Sequence, residues 1–360
     1  MRPNPSSKKE LELLVTLWPS FSHFESFSTD PRYSGIRLNS AGASPDDLKR
    51  EFTILGNRAR DNVVPLYYDV KGRQLRITEV LTGPPDDLEL RLNHPVAQRA
   101  MPTVVLFKGG EDSALLERIE EDGHRLVFRG GPKFSVRPGE SICIRAPALP
   151  TLGPKKEERV YTPLEREKIS LAREAGFSRY LLSYVETWKE VDELLEMTGR
   201  DVELLLKIES VRGMEFVANE FKKRDNLSLI AARGDLYLEL DRPHQILEAL
   251  RLIIEKDPEA CAASRLMLST LGNSNLTVNN LRRRAERDPA GVLSAKEVLT
   301  FIEEGESDPV PSCADFSELA WLYDIGYRRM MLCDEICMKK KFLGRATYAF
   351  DSFRSSYASH

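Results

Sequence analysis

Polar and charged residues close a series of otherwise apolar, strand-length runs in this sequence. Arg37 and Asn39 end one run, Asp69 and Lys71 another, Lys207 and Glu209 a third, Arg233 and Asp235 a fourth, and Ser264 a fifth. Carboxylates are hard oxygen ligands for Mg²⁺ or Mn²⁺, and neighbouring cations hold the anionic groups of a substrate. Two carboxylates among several cations therefore point to a divalent-metal and phosphate site. Side chains alternate along a strand, so Lys207 and Glu209 lie on the same side of theirs. The same pair would equally serve as a strand-end ion pair, and the spacing leaves both readings open.

These residues can act together only if the strands that carry them converge. Eight runs qualify: Leu11–Leu17, Gly35–Asn39, Val63–Asp69, Arg179–Tyr184, Val202–Glu209, Leu227–Arg233, Ala260–Ser264 and Arg328–Cys333. They are continuously apolar, as strands buried on both faces are, and segments of helical period fall between them. Helices are expected in SPDDLKREFTILGNRARD, TPLEREKISLAREAG and TWKEVDELLEMTG. Ser44 and Thr162 have N-cap spacing to an acidic residue, and Gly176 and Gly199 stand near helix ends. The pattern predicts an α/β fold, a (β/α)8 TIM barrel with a small β domain inserted after the third strand. Residues 1–76 would form the first part of the barrel. Residues 77–155, rich in Gly and Pro and holding TVVLF, RLVFRG and SICIRA, would form the insert. Residues 156–360 would complete the barrel, with a charged helical insertion at about 272–310. In such a barrel the active site lies at the C-terminal strand ends, where the polar residues stand.

Composition excludes several function classes. The chain has 360 residues, 41% of them hydrophobic, and 52 basic against 56 acidic residues for a formal net charge of −4. That is enough for a large core, with no global field to recruit nucleic acid or an anionic membrane. Its five cysteines are scattered and sit in apolar stretches, so reduced, mostly buried thiols in a cytoplasmic protein are expected. Cys333 and Cys337 are one helical turn apart but lack a second pair to complete a zinc site. The five histidines share no spacing and end no strand. Arg282–Arg284 and Lys339–Lys341 read as solvated surface, and Trp18, Trp188 and Trp321 as packing residues. The apolar segment at Leu11–Leu17 is too short for a signal core or a membrane span, so an unprocessed, soluble chain is expected.

A resemblance to a known family gives the strand ends a sharper meaning. Lys207-Ile208-Glu209-Ser210 with Gly213, followed by Ala232-Arg233-Gly234-Asp235-Leu236 and Glu239, resembles the paired signatures of pyruvate kinase. Thr16, Pro19 and Arg37-Leu38-Asn39 are similar to that family's first two strands. Asp69-Val70-Lys71-Gly72 with Arg76 is similar to its Asp-Thr-Lys-Gly-Pro-Glu-Ile-Arg stretch. Ala263-Ser264, Met267-Leu268, Pro311–Asp315, Gly326, Met331-Leu332 and Glu335 follow in the family's order. The inserted β segment falls where the family carries a lid domain.

The resemblance implies roles. Glu209 and Asp235 would ligate Mg²⁺ or Mn²⁺, and Lys207 would stabilise charge on an enolate and a transferring phosphoryl group. Arg233, the backbone at Gly234 and Asp235, and the hydroxyl of Ser264 would hold a carboxylate. Arg37 and Arg76 would face phosphates, and Asn39 and Asp69, with Lys71 beside them, would line a monovalent-cation site. The implied enzyme acts on phosphoenolpyruvate, pyruvate or a related 2-oxo acid through a Mg-stabilised enolate, with phosphoryl transfer to or from ADP/ATP as its reaction. Departures cluster at the nucleotide and K⁺ side. Ser40-Ala41-Gly42 replaces Phe-Ser-His, Val70, Arg73 and Gln74 replace Thr, Pro and an acidic residue, and Cys333-Asp334-Glu335-Ile336 replaces Ser-Gly-Glu-Thr. These argue against K⁺ activation and open two alternatives: a relative running lyase or aldolase chemistry through the same enolate, or a non-catalytic metabolite-binding paralogue. The expected partner is a small molecule, not nucleic acid or membrane, with a homodimer formed through barrel surfaces. The C-terminal effector domain of the family is expected to be absent.

Overall fold

A computed structural model describes residues 10–59, 64–83, 87–96, 102–110, 112–132, 135–144, 160–271 and 311–358. Eight parallel strands close a barrel. In chain order they begin with β1 (Glu12–Thr16), β2 (Gly35–Asn39) and β3 (Leu66–Val70). Six antiparallel strands then intervene: β4 (Ile77–Thr82), β5 (Glu89–Leu92), β6 (Thr103–Phe107), β7 (Asp112–Glu120), β8 (Arg125–Arg129) and β9 (Ile142–Ile144). The barrel resumes with β10 (Arg179–Leu182), β11 (Glu203–Ile208), β12 (Leu227–Ala232), β13 (Cys261–Ala263) and β14 (Arg329–Met331), and β14 pairs with β1 to close the ring. The expected TIM barrel with a small β domain inserted after its third strand is the fold observed. Each of the eight anticipated runs falls on a barrel strand; seven contain theirs, and β3 runs one residue past its run, to Val70.

Helices cover the barrel between strands: α1 (Phe24–Ser28), α2 (Pro45–Leu55), α3 (Pro163–Glu174), α4 (Trp188–Thr198), α5 (Val211–Asn219), α6 (Arg233–Glu239), α7 (Gln245–Lys256), α8 (Cys313–Ile325), α9 (Asp334–Cys337) and α10 (Lys340–Ser356). Their starts follow side-chain chemistry. Ser44 accepts from the Asp47 amide while the Asp47 carboxylate accepts from the Ser44 amide, and Thr162 caps α3 ahead of Pro163. Thr187 and Glu190 form a second reciprocal cap. Gly199, at φ +105, ends α4 in a conformation open to glycine.

Alternation along the strands sorts the core into two shells. Leu13, Val15, Leu38, Tyr68, Tyr180, Leu206 and Ile208 point outward to the helices. Leu14, Tyr67, Leu181, Leu205, Ile230, Cys261 and Met331 fill the barrel interior. Gly35 belongs to this inner packing, because a Cβ there would stand 2.8 Å from Cε2 of the Tyr67 ring. The insert has its own core, centred on Leu90, Val105, Phe107, Leu116 and Phe128. Its ends meet beside the barrel through a bridge between Arg76 and Ser141, with the Ile142 amide donating to the Leu75 carbonyl at 3.1 Å.

Among the cysteines, Cys261 and Cys337 are buried but Cys313 is exposed at the start of α8, where the expected burial fails because the residue lies on the first turn of a surface helix. Trp188 packs against Phe216 and Phe221. No described helix is long and apolar enough to cross a membrane. The anticipated helical insertion at 272–310 and the run Arg282–Arg284 lie outside the described residues.

Candidate active site

Above the apolar layer, the inward positions at the C-terminal strand ends become polar. Asp69, fully buried at the end of β3, is the centre of this layer. Its Oδ2 accepts from Nε of Arg37 at 2.7 Å and from Nζ of Lys71 at 2.6 Å, and its Oδ1 accepts from Oγ of Ser183 at 3.1 Å. Ser183 in turn accepts from Nζ of Lys207 at 3.0 Å, and that ammonium lies 2.7 Å from Oε1 of Glu209. A continuous polar chain thus crosses β2, β3, the end of β10 and β11. Gly72 lets the end of β3 approach β10, since a Cβ there would fall 2.6 Å from the Ser183 carbonyl oxygen.

Charge sets the protonation of this chain. Burial alone would raise the Asp69 carboxyl, but Lys207, Lys71 and Arg37 outweigh it and hold the group far below the ordinary carboxylate range. Burial lowers Lys71 to about 7, against the support of Asp69 and with Arg37 and Lys207 adding to the fall. Lys207 is also buried, yet Asp69 and Glu209 keep its ammonium above the usual lysine value. Glu209 is raised, by burial first and by the nearby Asp235 carboxylate, with Lys207 opposing.

The two oxygens of Glu209 have different neighbours. Its Oε2 accepts from the Tyr184 amide at 2.7 Å. Its Oε1 takes the Lys207 ammonium at 2.7 Å. A buried carboxylate raised by burial and by a second carboxylate nearby is an environment that a further cation would relieve. Asp235 stands half-buried near the start of α6, lining a narrow crevice with Gln74, Cys143 and Tyr184 where the inserted sheet meets the barrel. Among the described residues no three His, Cys, Asp or Glu side chains converge.

The other anticipated residues divide. Ser264 follows β13 with φ +67, and a Cβ on Gly234 would lie 3.3 Å from its Cβ, so Gly234, Asp235 and Ser264 share one corner of the mouth. Arg233 turns away: it donates to the carbonyl of Ser264 at 2.5 Å and pairs with Glu318 at 2.6 Å. Arg76 is held at the base of the insert, donating to the Gly139 carbonyl at 2.5 Å and to the Gln74 side chain. Asn39 and Asp69 do not face one open cavity. The Asn39 amide nitrogen donates to Oδ2 of Asp334 at 3.0 Å, and the Asp69 carboxylate is filled by Arg37, Lys71 and Ser183.

Strain concentrates here. Tyr184, Ser264, Arg265 and Met267 all have φ between +56 and +67 and follow the C-terminal ends of β10 and β13. Each non-glycine residue held in that region costs ~1–3 kcal/mol, a cost met where the surroundings over-determine the geometry. For Tyr184 they do: its amide serves Glu209, and its hydroxyl donates to Glu239 at 2.9 Å. Ser183 and Tyr184 went unassigned in the sequence although they close the fourth apolar run. Asp334 registered there only as a departure from a motif, yet it accepts from both Arg37 and Asn39.

Two solved structures share the architecture. Pyruvate kinase from Pyrobaculum aerophilum superposes with a TM-score of 0.62 at 15% identity, covering 98% of this chain and 74% of that one. Pyruvate kinase from Cryptosporidium parvum gives a TM-score of 0.65 at 15% identity, covering 97% and 70%. No family model matches the sequence, and no curated protein does either. The chain therefore has a pyruvate-kinase-like fold.

Proposed function

We propose that the barrel mouth is an enolate-stabilising active site for pyruvate or a related 2-oxo acid, with Glu209 and Asp235 holding Mg²⁺ or Mn²⁺. The observation that carries this reading is the buried Lys207–Glu209 pair with Asp235 beside it, two carboxylates around one ammonium, with Glu209 raised by burial and by Asp235. A bound divalent ion would supply Lewis-acid charge to the substrate's oxygens. Lys207, fixed by Ser183 and kept protonated by Asp69 and Glu209, would set its ammonium against the developing enolate oxygen. Ser264 and the backbone at Gly234 and Asp235 would orient the carboxylate. The inserted sheet, closing the crevice beside Asp235, would keep water from the enolate.

Among reactions through such an enolate, phosphoryl transfer with ADP/ATP is the one implied by the resemblance to pyruvate kinases. Lyase or aldolase chemistry is favoured by a specific observation: Arg37 and Arg76, which would receive phosphates, are already engaged by Asp69, Asp334, Gln74 and the Gly139 carbonyl. A coupled assay with phosphoenolpyruvate, ADP and Mg²⁺ separates the two, since turnover establishes the kinase reaction. Calorimetry with oxalate and Mg²⁺ tests the site itself. Binding should vanish in the Glu209→Ala, Asp235→Ala double variant, and unchanged binding there would refute the metal assignment.

A further inference from the structure

Asp334 opens α9 directly beyond β14, on the rim of the barrel mouth. Its Oδ2 accepts from Nη1 of Arg37 at 3.1 Å and from Nδ2 of Asn39 at 3.0 Å. Those donors are two residues apart on β2, so they point the same way and converge on one oxygen. A guanidinium and a carboxamide converging in this manner make an oxyanion receptor. The oxygen it receives belongs to the protein. Nε and Nη2 of Arg37 are taken by Asp69 at 2.7 and 2.6 Å, and Nη1 also reaches Oγ1 of Thr16 at 3.4 Å, so each guanidinium nitrogen already has an acceptor. The Asp334 side chain is 36% exposed while Arg37 is 11% exposed. The carboxylate thus plugs the receptor from the solvent side.

Local charge agrees with the geometry. On the β2–β3 side of the mouth, Arg37 and Lys71 face Asp69 and Asp334, and the third cation, Arg76, donates to the Gly139 carbonyl and the Gln74 side chain, so each cation there already has an acceptor. The depressed affinity of Lys71 for its proton weakens that side further. On the opposite side Lys207, Glu209 and Asp235 carry a net negative charge that a divalent ion would reverse, making that half the anion acceptor. We infer that Asp334 is a specificity-determining residue, a built-in carboxylate that occupies the Arg37–Asn39 receptor and makes the site select a non-phosphorylated 2-oxo acid over a ligand bearing a phosphoryl group. This inference rests on the enolate-site reading above and narrows its substrate class.

The test compares two probes, oxalate and phosphoenolpyruvate, each with Mg²⁺, by calorimetry on the wild-type chain and on Asp334→Asn and Asp334→Gly. Asparagine keeps the side-chain size in case glycine impairs folding. The wild type should bind oxalate more tightly than phosphoenolpyruvate, and both variants should shift that ratio toward phosphoenolpyruvate by at least about tenfold, because a like charge is removed from the receptor. A merely structural Asp334 would lower both affinities together and leave the ratio fixed. An unchanged ratio, or a wild type that already prefers phosphoenolpyruvate, overturns the inference while the enolate site stands. Failure of the wild type to bind oxalate with Mg²⁺ would instead remove the enolate-site reading and the inference with it.

Discussion

Replacing Asp69 with asparagine keeps the side chain's shape and its acceptor for Ser183, but removes the charge that three cations share. Arg37 retains Asp334 at 3.1 Å, and Lys207 retains Glu209 at 2.7 Å. Lys71 retains no carboxylate among the described residues. Breaking a buried pair costs ~3–5 kcal/mol when the remaining partner stays charged. Lys71 has another course open to it: its amine already titrates at about 7, and the support of Asp69 opposes a further fall. In Asp69→Asn the folded state should therefore hold Lys71 neutral at pH 7. The unfolded chain keeps that proton up to the ordinary lysine value of 10.5. Toward pH 5 the wild type is protonated at Lys71 in both states, whereas the folded variant binds up to one proton fewer than its unfolded chain. Stability rises with pH wherever the unfolded state binds more protons, by about 1.4 kcal/mol per pH unit for one proton. The deficit of Asp69→Asn relative to wild type should then be smallest at pH 7 and above, and grow by up to about that amount for each unit of acidification toward pH 5. Urea denaturation at half-unit intervals measures it. A deficit that stays flat from pH 5 to 7 would refute Lys71 as the group that answers for Asp69.

Lys207→Ala should abolish Mg²⁺-dependent oxalate binding in calorimetry, since the remaining layer offers no second ammonium at 2.7 Å from Glu209. In the wild type, oxalate with Mg²⁺ at about a hundred times its Kd should stabilise the folded chain by about 2.7 kcal/mol, read as a rise in Tm that chelation of the metal reverses. Gly35→Ala should lower stability by ~1–3 kcal/mol in urea denaturation, because its Cβ meets the Tyr67 ring at 2.8 Å in the closed interior. In the wild type, the contribution of Asp69 should persist above the ordinary aspartate value of 3.8 and fade as the pH drops below it toward the group's depressed folded value, seen as a lower urea midpoint in acid.

The barrel was legible because its strands are buried on both faces, and such strands leave an uninterrupted apolar record in the sequence. The same record exposed much of the site: where an apolar run ends in a charge, the charge has reached the rim, and Arg37, Asp69, Lys71, Lys207 and Glu209 do meet there. The period-2 rule stops at the strand end. Arg233 lies one residue past β12, on the first turn of α6, and the change of geometry sends its guanidinium to Glu318 instead of into the mouth. Asp334 was illegible for a topological reason. It lies 297 residues from Arg37, and they meet only because β14 closes the ring against β1, next to β2.

Closure also bears on what the polar layer is for. Below it, Leu14, Leu181, Leu205 and Ile230 fill the interior with no polar atom to satisfy. Directly above, the chain buries Arg37, Asp69, Lys71 and Lys207 together, although apolar residues of similar volume would hold the strands at least as well. The ion pairs are thus a poor account of why the barrel is stable. They are a good account of why Lys207 stays charged: burial pulls its affinity for a proton down, and Asp69 and Glu209 more than restore it. Asp69 contributes from a distance, through Ser183, while Glu209 lies in contact with the ammonium. The layer therefore makes sense as the support of one buried ammonium beside one carboxylate that burial and Asp235 both raise, and its energetic cost falls where the chemistry would occur.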